Sequence, residues 1–273
     1  MPEKITKFRG ETITLATSVG YNQVKGIPAW ANAVEISAPS ATLENVSVAF
    51  GPKIVAVYFY DASRSDGERF VDITKEMIDR NTSTDTGGLL NSMTSSDLIY
   101  VGFNAMAGGL AVDVVATNNN AAVLTASRST GAKDSPTWTA TTITDNTSAS
   151  SNTLNQDGAI TWVVATNAAN WRPVHVDLNR GEKSPQAYFM RFATDNTLDS
   201  SVSFAEMAAL ANTTLNAVNG TEEGFDYLLL RTNNSVVPPR RFVFDRDRFG
   251  AIEMKSASIT SAANVDWLRL QDG

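Results

Sequence analysis

Short runs of β-branched and aromatic residues recur along this chain about every ten residues, separated by Gly, Pro, Asn and Asp. The clearest runs are residues 54–60, 97–103, 110–115 and 186–193. Val, Ile, Tyr and Phe suit a pleated, half-buried surface, and runs at this spacing are typical of sandwiches and barrels. The sequence therefore predicts a mainly β protein with a β-sandwich or jelly-roll-like central domain.

Two turn signals predict how neighbouring strands connect. Residues 51–53, Gly-Pro-Lys, lie between the predicted strands 46–50 and 54–60. Residues 104–109 end in two glycines and separate the next two apolar runs along the chain. The sequence predicts a turn at the first position and a hairpin at the second.

One segment has the pattern of a helix. Residues 203–210 carry apolar side chains at helical spacing, with Ser203 available as a cap and Glu206 three positions further on. By contrast, residues 145–155 are small and polar and cannot fill a core. We predict a helix in the first segment and an exposed loop in the second.

The length of 273 residues suits more than one compact unit. Residues 1–40 are polar and interrupted by Gly and Pro, which predicts an extended N-terminal arm that needs a neighbour. Residues 41–210 form the predicted sandwich. Residues 211–273 are a small β-rich C-terminal region, too short to be stable alone, and are expected to pack on the arm or the sandwich. Within these regions, Ala31 to Ile36 weakly resemble Ala263 to Leu268; such strands could pair, although chance similarity is the simpler explanation.

The composition argues against several classes of partner. There are 22 Lys and Arg against 29 Asp and Glu, a net charge of −7, and no basic block, so no direct nucleic-acid partner is predicted. No stretch reaches the roughly 18 apolar residues that span a bilayer, and the first residues lack the apolar core of a signal peptide, so no membrane association is predicted. The chain has no cysteine, which excludes disulfides and thiolate chemistry.

Candidate catalytic groups are few. His175 is the only histidine and no serine lies in a Gly-x-Ser-x-Gly motif, so we predict a histidine on a strand face. Asp245 and Asp247 alternate with two arginines, which predicts a salt-bridge ladder on a strand; a catalytic carboxylate pair or a calcium site is the less favoured alternative. We therefore predict no catalytic activity, no cofactor and no metal.

Tryptophans and one arginine pair are the candidate contact residues. Trp138 and Trp162 lie in alternating runs and are predicted core residues. Trp30 follows an Ile-Pro-Ala run and is predicted to anchor the chain in a neighbour. The arginine pair follows two prolines and is predicted to be a surface contact. The interface candidates are Trp30, Arg240, Arg241 and Trp267.

Three segments carry a resemblance to a known group of proteins. They are a glycine turn with an Ile-x-Trp strand at residues 157–162, a Trp-containing bend at 170–174 and a Tyr-aromatic-x-Arg strand at 187–192. Together with the predicted hairpin before them, these segments resemble the β module of tailed-phage head and tail accessory proteins, over residues 98–193. The resemblance implies a virion component with a β-sandwich fold and no catalytic role.

On this basis the expected function is structural. We expect a capsid decoration or cement protein that holds neighbouring capsid subunits through its arm and β contacts. Its expected partners are copies of itself, in a symmetric trimer or ring, and the major capsid protein, with synthesis in the host cytoplasm and final localisation in the virion. The alternatives are a tail, baseplate or fibre component, a carbohydrate-binding host-attachment module with exposed tryptophans, and, more weakly, a carboxylate hydrolase.

Overall fold

The protein is mainly β, as the sequence predicts. The computed structural model describes residues 4–7, 10–16, 20–37, 45–79, 90–164, 169–179, 181–212, 230–231, 240–256 and 261–271. Every strand pair in these ranges is antiparallel. One short α-helix, α1 (Thr74–Ile78), accompanies the strands.

The strands are numbered in their order along the chain. The first ten strands are β1 (Lys4–Lys7), β2 (Glu11–Leu15), β3 (Val24–Gly26), β4 (Ala33–Ser37), β5 (Asn45–Pro52), β6 (Ile54–Tyr60), β7 (Phe70–Asp72), β8 (Leu98–Phe103), β9 (Gly109–Ala116) and β10 (Leu124–Ala132). The remaining strands are β11 (Ser135–Thr141), β12 (Ile143–Asp145), β13 (Gly158–Trp162), β14 (Pro173–Val174), β15 (Ala187–Thr194), β16 (Ser203–Leu210), β17 (Leu230–Arg231), β18 (Arg240–Val243), β19 (Phe249–Ser256) and β20 (Ser261–Gln271).

These strands form four sheets, which we name A to D. Sheet A has the order β1-β20-β4-β18, with β2 also beside β20, and sheet B has the order β17-β5-β19-β3. Sheet C is seven-stranded, in the order β11-β10-β15-β8-β6-β7 with β14 beside β15, and sheet D has the order β12-β13-β9-β16. The sheets pack in the order A, B, D, C, because each face of D contacts a different sheet.

Two sandwiches result from this packing. In the first, the inner faces of sheets C and D enclose a large core that includes Phe103, Trp162, Trp171 and Phe204. In the second, sheets A and B enclose a separate core that includes Trp267. Buried side chains from both sheets interdigitate in each sandwich, which is the arrangement that alternating strands predict.

Both ends of the chain build the second sandwich. Residues of the predicted arm supply β2, β3 and β4, and β4 lies between β18 and β20 of the C-terminal region. The two segments that resemble each other are paired neighbours, with Ile36 opposite Val265 and Val34 opposite Trp267. The N-terminal strands therefore pair with strands of the C-terminal region of the same chain.

The connections at the two predicted turns both cross from one sheet to another. The chain passes from β5 in sheet B to β6 in sheet C at Lys53, and from β8 in sheet C to β9 in sheet D at residues 104–108. The predicted hairpin between the latter two strands is therefore wrong. Gly and Pro signal a change of direction, which a crossing between sheets needs as much as a hairpin does.

The predicted helix at residues 203–210 is also wrong, because this segment is β16 and pairs with β9. Phe204 and Met207 face the core of the first sandwich, whereas Ala208 and Leu210 face sheet B. A strand buried on both faces has a continuous apolar run, and eight residues are too few for periodicity to separate it from a helix.

The polar run at residues 145–155 is partly buried, so the prediction of an exposed loop holds only in part. Thr147 and Leu154 have exposed fractions of 0% and 1%. Asp145 organises the run, since its carboxylate accepts hydrogen bonds from the Thr147 backbone N–H at 2.9 Å and from the Thr153 hydroxyl. Local side-chain bonds of this kind satisfy polar groups without a strand ladder and let part of a Ser/Thr-rich segment be buried.

Candidate functional site

The three segments that carry the resemblance converge in the first sandwich. The ring of Trp162 lies 6.2 Å from that of Trp171 and 6.2 Å from that of Phe192, and Trp171 lies 6.0 Å from Tyr188. The indole N–H groups of Trp162 and Trp171 donate to backbone carbonyls at 2.7 Å and 3.2 Å. Both indoles are buried and satisfied, so these aromatic residues hold sheets C and D together rather than contact a ligand.

A second group of aromatic residues lies on the outer face of sheet C. Trp138 on β11 contacts the ring of Tyr100 at 5.4 Å, and the Arg191 guanidinium lies 4.8 Å from the centre of the Trp138 ring. The contacts continue from Tyr100 to Phe70 at 5.6 Å and from Phe70 to Tyr60 at 5.0 Å. Trp138 is only partly buried, so the prediction that it is a core residue holds in part, whereas Trp162 is a core residue as predicted.

Sheet C ends at β11, which forms a hairpin with β10 through Lys133 and Asp134. Pro136 lies opposite Gly131 and has no N–H to donate, and the carbonyl of Ser129, opposite Trp138, accepts from the Arg172 N–H at 3.0 Å on the other side of β10. Hydrogen-bonded and non-bonded pairs alternate along antiparallel strands. It follows that alternate residues from Thr137 on bond to β10, and that the N–H and C=O groups of Trp138 and Ala140 point away from the sheet.

Among the described residues no strand pairs with the other side of β11, which we call its free side. β11 itself has no charged residue, because its sequence is Ser-Pro-Thr-Trp-Thr-Ala-Thr. Thr139 and Ala140 are exposed. Among the strands that end a sheet in the described ranges, only β16 is longer than β11, and α1 and β5 pack beside β16. Edge strands of monomeric proteins are usually short, charged or covered, so a seven-residue uncharged edge is a candidate surface for pairing with another chain.

The two sandwiches meet where sheet D packs on sheet B, a contact that we call the seam. Its residues are mostly small: Val24, Ala111, Ala159, Ala208, Leu210 and Ala251. The close approach extends to Gly51, where an added Cβ would lie 1.9 Å from the carbonyl oxygen of Ala209. Small residues allow the backbones of the two sheets to come this close.

One carboxyl group is buried beside the seam. Glu253 on β19 is 6% exposed and accepts a hydrogen bond from the Ala211 N–H at 3.0 Å. Burial raises the pKa of the Glu253 carboxyl to about 7, while the Ala211 N–H and the charge of Lys255 act in the opposite direction. Its neighbours in sheet B are Val24 and Ala49, which offer no opposite charge.

A cleft of about 470 Å³ opens between the sandwiches near α1. The cleft is lined by basic, acidic and apolar side chains, among them Lys53, Lys75, Arg246, Asp79, Glu206, Asp247, Ile78 and Phe249.

The segment that contains Asp245 is a turn, not a strand, because the Asp245 carboxylate accepts a hydrogen bond from the Asp247 N–H at 2.8 Å. The predicted salt-bridge ladder on a strand is therefore wrong.

The interface candidates fall in different environments. Trp30 is partly buried against the core of the second sandwich. Arg241 is exposed and pairs with Glu35 at 3.4 Å. Trp267 is 1% exposed and its indole N–H donates to Glu11 at 3.1 Å, so in this fold it is a core residue rather than a surface contact. Arg240 lies in β18, and its side chain is outside the described part of the structure.

The single histidine has a structural contact. Nδ1 of His175 lies 2.7 Å from the carbonyl oxygen of Ser184. The hydroxyl of the same serine is engaged with backbone groups, accepting from the Val176 N–H at 2.8 Å and donating to the Pro185 carbonyl at 3.0 Å. The arrangement fixes the loop after β14 and does not form a nucleophile–base pair.

The sequence did not point to Glu253 or to the free side of β11. On β19, Glu253 lies on the same face as Ala251, and Ile252 and Met254 lie on the opposite face. An acidic residue that shares a face with a small one is the pattern expected beside a close-packed surface. The edge of β11 was visible only as Pro136 followed by an uncharged alternating run. Which strand ends a sheet depends on contacts between distant segments.

In the described ranges no group of three or more His, Asp or Glu side chains is placed to hold a metal ion. No helix among those residues is long and apolar enough to cross a membrane. Comparison of the chain with protein-family models, curated proteins and solved structures finds no match.

Proposed function

We propose that this protein is a non-enzymatic structural component of a tailed-phage virion, a capsid decoration or cement protein that joins neighbouring subunits through β contacts. The observation that carries the proposal is the free side of β11. A strand of seven uncharged residues at the end of the largest sheet offers backbone groups to another chain, and assembly would cover this edge.

Two further observations support a structural role. The segments that resemble phage accessory proteins supply the aromatic cluster that joins sheets C and D, so the resemblance concerns a packing unit and not an active site. The small-residue seam joins the two sandwiches closely, which suits a rigid building block.

The N-terminal residues enter the proposal differently from the expectation of an extended arm that contacts a neighbouring subunit. The strands β2 to β4 pair within the chain, so they are part of the second sandwich. Contacts between subunits are then made by the edges and faces of folded sheets. Burial of Trp162, Trp171 and Trp267 in the two cores also counts against a sugar-stacking platform built from the tryptophans.

The test is co-sedimentation of the purified protein with phage particles that lack it. Tailless heads and isolated tails are used in parallel, and bound protein is quantified for the wild type, for Ala140→Lys on the free edge and for Ala121→Lys as the control. Both alanines are exposed, but Ala121 lies outside the strands.

We expect saturable binding of the wild type and the control to heads, and a loss of binding for Ala140→Lys, because the new charge lies beside the edge. Binding to tails alone would replace the decoration role with a tail role. Absence of binding to either particle would contradict the proposed function.

A further inference from the structure

We infer that the neighbour paired with β11 is a second copy of this chain, in antiparallel orientation, with Thr139 of both copies on a two-fold axis. The inference rests on the proposed function, since it names one partner of the same edge. A two-fold contact uses the same patch on both copies, so the edge must be complementary to itself.

The backbone of β11 selects this register. Trp138 and Ala140 are the residues whose N–H and C=O groups point outward, and a centre at Thr139 places Trp138 opposite the partner's Ala140. Both resulting pairs then exchange hydrogen bonds in the antiparallel pattern. A centre at Trp138 would place Ala140 opposite the partner's Pro136, which has no N–H to donate.

The outward carbonyl of Ala140 already has one contact within the chain. Nη1 of Arg128 donates to it at 3.3 Å. A carbonyl oxygen has two lone pairs, so a second donor can be accepted. The Arg128 contact therefore orients this end of the edge and leaves it able to pair.

Side chains on both faces of β11 fit the same register. On the inner face, Thr139 meets the partner's Thr139 and Thr137 meets the partner's Thr141, and opposed threonines stabilise antiparallel pairs. On the outer face the two Trp138 rings are diagonal neighbours, within reach of aromatic side chains. β11 itself places no like charges opposite each other, although each copy carries a net charge of −7 and the Arg128 guanidinium beside Ala140.

The pairing would join two seven-stranded C sheets into one continuous sheet. It would also bring together the outer-face aromatic groups that begin at Trp138 in each copy. A contact made by one edge strand buries less surface than a standard stable interface, so we expect a dimer that forms at high concentration or between copies held close on a particle.

The test uses charge at the axis. Thr139→Lys and Thr139→Glu each place like charges opposite each other in a homodimer, whereas an equimolar mixture of the two variants places Lys opposite Glu. The matched control is Thr125→Lys, since Thr125 is exposed but lies on β10, between two paired strands. Sedimentation equilibrium measures dimerisation, and thermal unfolding checks that each variant is folded.

We expect the wild type and the control to dimerise, each single variant to bind itself at least about tenfold more weakly, and the mixture to recover the dimer. A wild type that stays monomeric at millimolar concentration would overturn the inference, as would a dimer that both single variants retain. If the variants lose the dimer and the mixture does not recover it, the axis at Thr139 is wrong.

The outcome is separable from that of the proposed function. Dimerisation through β11 without binding to particles would contradict the virion role and retain this inference. Binding to particles by a protein whose dimer does not depend on Thr139 would retain the virion role and overturn this inference.

Discussion

The core of the first sandwich and the seam between the sandwiches are both buried, yet they contain opposite kinds of residue. The core combines large aliphatic side chains with Phe and Trp rings such as Trp162 and Trp171, in edge and tilted contacts about 6 Å apart. The seam is formed mainly by alanines, beside Gly51 and the buried carboxyl of Glu253.

This difference separates two ways of joining β layers. In the core, stability comes from side-chain volume, so removal of volume is the damaging change. At the seam the side chains are small, which lets the two sheets pack closely, so an added methyl group lowers the stability. The stability of the seam also depends on the protonation of Glu253, because the charge of the ionised carboxylate would be only partly offset by the Ala211 N–H and Lys255.

The largest expected effect is from removal of volume in the core. Trp162→Ala should lower the free energy of unfolding by about 3 to 5 kcal/mol, because it leaves a cavity and removes the donor to the Ala107 carbonyl. Urea unfolding measures the loss, and Trp162→Phe, which keeps most of the ring volume, should lose clearly less. A loss below about 1 kcal/mol would show that Trp162 is not a packing residue.

The next effect is from addition of volume at the seam. Gly51→Ala should cost about 3 kcal/mol, because its Cβ would lie 1.9 Å from the Ala209 carbonyl oxygen and the backbones would have to move apart. Thermal unfolding measures the effect against Gly20→Ala, whose Cβ would meet only the side-chain oxygen of Gln23, at 3.1 Å and not a backbone atom. Equal stability of the two variants would mean that the seam is not closely packed.

The proton at the seam gives a pH-dependent effect of comparable or slightly smaller size. The folded protein holds the Glu253 proton more tightly than the unfolded chain does, since the pKa rises from 4.5 to about 7. Stability from this group is therefore fully present below pH 4.5 and is lost as the pH rises to about 7. Glu253→Gln keeps an acceptor for the Ala211 N–H but cannot ionise.

We expect this variant to match the wild type near pH 4.5 and to exceed it by about 3 kcal/mol at pH 8. Urea unfolding across this range gives the difference, with Glu182→Gln at an exposed position as the control. A difference between Glu253→Gln and the wild type that does not change with pH would contradict the burial of an ionisable group at the seam.

The smallest effect should come from the outer face of sheet C. Trp138→Ala removes the ring contacts with Tyr100 and Arg191, but Trp138 is only partly buried, so a loss of about 1 kcal/mol is expected. Replacement by alanine at both positions thus distinguishes the core indole of Trp162 from the partly exposed indole of Trp138. Urea unfolding under the conditions used for Trp162→Ala provides the comparison, and equal losses would remove the distinction.

Local patterns predicted most strands because those strands keep one apolar face or are apolar throughout. The run at 54–60 matches β6, and the run at 97–103 begins one residue before β8 and ends with it. The match of Ala31 to Ile36 with Ala263 to Leu268 proved to mark paired strands. The same local patterns failed at residues 203–210, where contact with two sheets makes the pattern of a strand resemble that of a helix.

The candidate contact residues were harder to predict. Trp30 and Trp267 look alike in sequence as isolated large aromatic residues, but β20 directs Trp267 into the second core, where it is 1% exposed. Arg241 is exposed as expected, with Glu35 as a partner from the neighbouring strand β4. Whether a tryptophan is a contact or a core residue depends on the layer that covers it, which local sequence does not contain.

Local sequence was enough to specify the β class, most strand positions and Trp162 as a core residue, because side-chain shape and alternation act over neighbouring residues. The assembled fold was needed to establish that both chain ends share one sandwich, that β16 is a strand, that Glu253 is buried, and that β11 ends its sheet. Each of these depends on strands far apart in sequence meeting, and packing of whole layers decides which of them meet.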